Sequence, residues 1–309
     1  MRNRLSPARL RTRSPLLGIE GLEDRVVPAA ILNITNAPTG IFPQFDLVDP
    51  NPDFGGLFGT QTLLLSTGNI VVTDPGDDAG GADAGAVYLF NGTTGALIST
   101  ITGSHVNDHV GINGVKALIN GNYAFVSIEW DNGTVANAGA VTWGSGTSGV
   151  SGVVSVANSL VGSQTDDVVG DVGGGGSGLT VLANGNYVVR SRFWSNGAIS
   201  NVGAVTWGNG TTGISGPVTA LNSLVGSTKG DQLGDTGVKV LPNGNYVVSS
   251  PQWDNGSVVD AGAVTWADGS TGISGPVTST NSLIGSTSGD RVGLNNNNDG
   301  LAGVKVLTR

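Results

Sequence analysis

An all-β, β-propeller-like repeat array is the architecture this sequence predicts, and three observations predict it. One block recurs as NGNYAFVSIEWDNGTVANAGAVTWGSGTSG from Asn120, NGNYVVRSRFWSNGAISNVGAVTWGNGTTG from Asn184 and NGNYVVSSPQWDNGSVVDAGAVTWADGSTG from Asn243. Tyr123, Tyr187 and Tyr246 mark its register at steps of 64 and 59 residues, a period at which each unit buries its apolar face only against its neighbours. Glycine supplies 52 of 309 residues and charged residues only 12%, the composition of a turn-rich chain. No segment shows a capped 3.6-residue apolar period, so helix is nearly excluded.

One unit reads in order from Val238. Val238-Lys-Val-Leu241 and Tyr246-Val-Val-Ser249 alternate around the turn Pro242-Asn-Gly-Asn245 and predict a hairpin. A loop opens at Asp254-Asn255-Gly256, Ala263-Val-Thr-Trp266 forms a third strand, and Ala267 to Gly272 turns again. Ile273 to Ile284 is expected as a fourth extended stretch, broken by Gly275-Pro276. Four short strands in about sixty residues make a propeller blade. A more divergent copy, GNIVVTDPGDDAGGADAGAVYLFNGTTG from Gly68, precedes the others, and AILNITNAPTG from Ala30 is a candidate half-copy.

The expected organisation is a basic leader over 1–29 and a repeat domain over 30–309. The domain divides into a half-repeat 30–53, repeats near 54–108, 109–167, 168–231 and 232–290, and a partial repeat 291–309 carrying Val304-Lys-Val-Leu307. These residues supply about four to five blades at ~60 residues each. A composite blade built from the half-copy and the terminal strand would close a ring. An open or truncated array would leave an edge that invites pairing with another chain.

Six arginines against three acids give residues 1–30 a charge of +3, while the remaining 8 basic and 20 acidic groups give −12. An acidic body without a basic stripe argues against nucleic acid. No apolar run reaches the ~18 residues of a membrane span, and the absence of Cys excludes disulfides and thiol chemistry. The apolar stretch after Arg13 is too short for a standard signal peptide, and the basic leader reads as an address rather than a binding arm.

Two resemblances follow from these residues. Gly21 to Ala30, GLEDRVVPAA, resembles the leaders of large exported proteins of planctomycete-type bacteria. Val71 to Phe90, VVTDPGDDAGGADAGAVYLF, resembles the core of FG-GAP repeats of integrin-α-type propellers, with Asp74-Pro75 and Ser250-Pro251 in place of Gly-Ala-Pro and Phe54-Gly55 or Phe58-Gly59 as the Phe-Gly. The later copies, in which Trp143, Trp207 and Trp266 follow Gly-Ala-Val-Thr, are more similar to a repeat of unknown function from bacterial surface and haemagglutinin-like proteins. Together these imply a surface location more than an activity.

Candidate site residues repeat with the blades. Trp130, Trp194 and Trp253 are either a sugar-stacking platform or inter-sheet packing. Asp108, Asp167, Asp231 and Asp290 stand three residues before a glycine and are expected to accept backbone N–H bonds and fix their turns. Calcium has a partial loop at Asn295, Asn297 and Asp299, which lacks the first Asp and the distal Glu, and an oxygen-rich loop at Asp74, Asp77, Asp78 and Asp83. No other cofactor is expected. His105, His109 and Glu129 do not recur, and Asp171 to Ser177 lacks the Lys of a phosphate loop, so no catalysis is expected. The expected function is a non-enzymatic, exported surface scaffold or adhesin with a polysaccharide or protein ligand. A lectin-like propeller and a calcium-dependent binding module are the alternatives.

Overall fold

The computed structural model describes residues 46–174 and 176–294 and is all-β. The half-repeat at Ala30, the terminal Val304–Leu307 and the partial calcium loop Asn295, Asn297 and Asp299 lie outside these residues. Among the described residues no helix is long and apolar enough to cross a membrane.

The first repeat contributes β1 (Gln61–Leu64), β2 (Ile70–Asp74), β3 (Ala86–Phe90) and β4 (Leu97–Thr102). The second contributes β5 (Val115–Ala117), β6 (Tyr123–Ser127), β7 (Ala140–Gly144), β8 (Gly152–Val153) and β9 (Ser159–Val161). The third contributes β10 (Leu179–Val181), β11 (Tyr187–Ser191), β12 (Ala204–Gly208), β13 (Gly216–Pro217) and β14 (Ser223–Val225). The fourth contributes β15 (Gly237–Val240), β16 (Tyr246–Ser250), β17 (Ala263–Ala267), β18 (Gly275–Pro276) and β19 (Ser282–Ile284).

Each repeat forms one antiparallel meander, but the fourth expected stretch divides in two. Its leading piece leaves the repeat and pairs in parallel with the sheet before it: β8 with β4, β13 with β9 and β18 with β14. The first three sheets therefore have five strands and the fourth has four, and none closes into a barrel. Proline is tolerated in β13 and β18 because a two-residue edge strand need not donate at that position. The bonds come from the residues just after, Val218 N–H to Val161 O at 3.0 Å and Val277 N–H to Val225 O at 3.1 Å.

The core lies between sheets. Val126, Val141 and Leu160 on the trailing face of the second sheet pack with Tyr187, Val189 and Ala204 on the leading face of the third. Equivalent layers join the first sheet to the second and the third to the fourth. The leading face of the first sheet is instead covered by Leu47 and Phe58, which pack on Ile70, Tyr88 and Phe90. Burial on both faces explains why the second strand of each sheet opens on a continuous apolar run, Ile70 to Val72, Tyr123 to Val126 and Tyr187 to Val189. On the two strands that follow in each of the last three sheets, the hydroxyls of Thr142 and Ser159, Thr206 and Ser223, and Thr265 and Ser282 each pair at 2.7 Å. The glycine opening each Gly-Ala-Val is required by its backbone. Gly139 has φ +73°, and a Cβ there would meet Val169 N at 2.2 Å.

Candidate functional site

Two groups of polar residues stand out: those that recur and join repeat to repeat, and those that differ and line one rim of the stack.

Asp167 Oδ2 accepts the N–H groups of Ser163 and Gln164, and its Oδ1 reaches into the next repeat to accept Ser195 N–H at 2.9 Å. Asp108 bonds in the same way to Ser104, His105 and Asp131, and Asp231 to Ser227, Thr228 and Asp254. These carboxylates fix turns as the sequence leads one to expect, and the third bond adds an inter-repeat joint. Burial pushes the carboxyls of Asp167 and Asp231 above the usual range, and the accepted N–H groups oppose it. Asp290 keeps the two turn bonds but is exposed.

A second joint uses the Asn-Gly-Asn turn. The Nδ2 groups of Asn120 and Asn122 and the indole N–H of Trp143 all donate to Gly210 O of the next repeat, at 2.7, 2.9 and 3.0 Å. Asn184, Asn186 and Trp207 do the same to Gly269 O. In the first repeat Thr67 and Asn69 hold Gly146 O. Trp143 and Trp207 are thus half-buried donors.

The loop-end tryptophans sit elsewhere. Trp130, Trp194 and Trp253 are 3%, 3% and 4% exposed and belong to the inter-sheet cores. Rings this buried cannot stack on a sugar, so of the two readings the sequence offers, the described residues agree with inter-sheet packing and not with the platform.

The rim lies at the C-terminal ends of β2, β6, β11 and β16, where the copies diverge: Pro75-Gly76, Ile128-Glu129, Arg192-Phe193 and Pro251-Gln252. His109 Nδ1 lies 2.6 Å from Glu129 Oε2. Arg192 pairs with Asp235 at 2.9 Å, donates to Gln232 at 2.7 Å and lies over the Phe193 ring at 4.8 Å. Gln252 donates to the other oxygen of Asp235 at 3.1 Å. The adjoining loops expose Ile199 and Val259.

At the first repeat the rim is acidic. Asp49, Asp74 and Asp77 place carboxylate oxygens within 4.8 Å of one another. Asp74 Oδ1 accepts the N–H groups of Leu57 and Gly76, while its buried Oδ2 has no hydrogen-bond partner. Asp77 accepts the Tyr88 hydroxyl and Asn51 Nδ2. Burial pushes the Asp74 carboxyl up to about 6, opposed by those N–H bonds and reinforced by Asp49 and Asp77. Two chemistries relieve such crowding, a retained proton or a hard divalent cation bound through oxygen. Asp78 and Asp83 stay apart, with Asp78 Oδ1 accepting Asp83 N–H. The sequence reading missed Asp49, which lies 25 residues before Asp74 and outside any loop spacing that would have linked them.

The grooves beside Trp143 and Trp266 are lined without a titratable side chain. The sequence matches the family described as a repeat of unknown function, DUF5650, over residues 64–112, 117–171, 181–235 and 240–294. The chain belongs to the DUF5650 repeat family. A search of curated proteins returns no match. The four DUF5650 units follow the four sheets in order, and each begins at the last residue of its sheet's first strand, Leu64, Ala117, Val181 and Val240.

Proposed function

We propose that this DUF5650 array is a non-catalytic scaffold, exported to the cell surface, that holds a ligand-contacting rim. One observation carries the reading. The copies are chemically alike where they join, through Asp108, Asp167 and Asp231 and the Asn, Asn, Trp donors, and unlike where they meet solvent, at Ile128-Glu129, Arg192-Phe193 and Pro251-Gln252. A stack with uniform joints and a varied rim supports recognition by surface rather than by a single reactive site. The basic leader and the likeness to surface-protein repeats support export, and the propeller-like face-to-face sheets support the FG-GAP comparison in architecture.

The ligand class is a surface polysaccharide or protein, contacted by half-exposed Glu129 and Phe193 and by the exposed tip Ile199. Co-sedimentation of the full chain with purified cell-wall polysaccharide, and with whole cells, tests this. A chain carrying Glu129→Ala, Phe193→Ala and Ile199→Ser should keep its melting temperature within a few degrees and lose retention. Equal retention of this chain and the parent would overturn the rim as the contact. Fractionation of cells carrying the full chain would show it outside the cytoplasm, and a wholly cytoplasmic signal would overturn export.

A further inference from the structure

The trailing face of the fourth sheet repeats, without a partner, the surface that each earlier sheet uses to hold its successor. Leu160 and Leu224 on β9 and β14 are 0% exposed because each lies in the core packed against the next sheet, whereas the equivalent Leu283 on β19 is 74% exposed. Trp143 and Trp207 are half-buried, and the turn glycine of the following repeat rests on each ring: a Cβ at Gly213 would meet Trp143 Cβ at 2.8 Å, and one at Gly272 would meet Trp207 Cβ at 2.5 Å. Trp266, in the same place, is 52% exposed.

The polar half of the joint is present too. Asn245 keeps the bond that Asn122 and Asn186 make within their own repeats, its Oδ1 accepting Gly269 N–H at 3.0 Å. The Nδ2 groups of Asn243 and Asn245 and the indole N–H of Trp266 have no acceptor among the described residues, although their counterparts converge on one carbonyl. Asp290 Oδ1 likewise has no counterpart of Asp131, Ser195 or Asp254 among them. Val247, Val264, Trp266 and Leu283 line one shallow groove beside that edge.

We infer that this face is a docking surface for one further repeat of the same kind. The occupant would deliver three things at once: a turn carbonyl to Asn243, Asn245 and Trp266, a backbone N–H to Asp290, and a two-residue parallel strand to β19. Continuity with three existing joints fixes this choice, since the donors, the acceptor, the apolar patch and the open strand edge recur in one arrangement. The sequence carries the opening of such a copy, as Gly303 to Leu307 reads GVKVL like Gly237 to Leu241. The array's own first sheet does not suit the role in trans, because Leu47 and Phe58 cover its leading face and its β3 to β4 connection lacks the strand that is handed backward. The inference does not depend on what the rim binds.

The test grafts a copy of residues 242–294, carrying Trp266→Phe within the copy so that the graft adds no exposed indole of its own, after Leu307 of the full chain, so that a fifth complete unit follows in phase. Amide exchange at Ser282 to Ile284 should slow by at least about tenfold, the most red-shifted tryptophan emission should move to shorter wavelength, and Leu283→Asp in the grafted chain should reverse both. Unchanged exchange and emission in the grafted chain, with the added unit folded by circular dichroism, would overturn the inference. Sedimentation of the ungrafted chain supplies the remaining arm. A dimer that Leu283→Asp dissolves would make a second copy of this chain the occupant and overturn the repeat.

Discussion

Oδ1 of Asp167 accepts the backbone N–H of Ser195, 28 residues further along the chain, at 2.9 Å. The same carboxylate closes its own turn through Ser163 and Gln164. One side chain therefore fixes both a turn and the seat of the next sheet, and the arrangement recurs at Asp108 and Asp231.

This predicts unequal costs for equal substitutions. Asp231→Ala strands three N–H donors, those of Ser227, Thr228 and Asp254, and should lower stability by about 2 to 4 kcal/mol in urea denaturation. Asp290→Ala removes two exposed bonds and should cost less than about 1 kcal/mol. Equal losses would contradict the joint.

The tryptophans divide in the same way. Trp253→Ala empties a site in the core between the third and fourth sheets and should cost about 3 to 5 kcal/mol. Trp266→Phe should leave stability nearly unchanged but remove the largest part of the emission that iodide quenches.

Acidity should act through the first repeat. With the Asp74 carboxyl raised from 3.8 to about 6 by burial, the folded chain holds this proton more tightly than the unfolded chain. Its contribution is then fully present below pH 4, declines between pH 4 and 6, and is absent above. Melting temperature should fall from pH 4 to 6.5, and Asp74→Asn should flatten that step relative to the parent. A melting temperature at pH 7.5 that rises with millimolar calcium and falls with chelator would assign the crowding to a cation instead.

Arg192 links repeats across the rim through Asp235, Gln232 and the carbonyl of Val172. Arg192→Ala should cost about 1 to 2 kcal/mol, and Arg192→Lys should recover less than half of it, because a single ammonium cannot span partners on two sides. Thermal or urea melts of the two variants decide this.

The repeat, the hairpin at Asn243-Gly244 and the strands through Tyr246 and Ala263 were legible in the sequence because period-two alternation and turn residues are local signals. The Gly275-Pro276 strand was not, since two residues carry no period and the proline reads as an interruption. Its partner, Leu224-Val225, belongs to another repeat. The turn role of Asp231 was visible from its spacing to Gly234, but its bond to Asp254 spans 23 residues and leaves no pattern. The loop-end Trp253 could be placed on a blade by its recurrence and not on an inner or outer surface, because burial there is decided by the neighbouring sheet.

The backward-handed strands also set an order of completion. The sheet of β5, β6, β7 and β9 gains its last member only when Gly216 and Pro217, some 55 residues after Val161, have been made. A chain emerging from the ribosome therefore always carries one sheet awaiting closure at its newest end, while everything behind it is sealed. Folding of this protein should advance as a zipper in step with synthesis, with the exposed surface held to a single unit at a time.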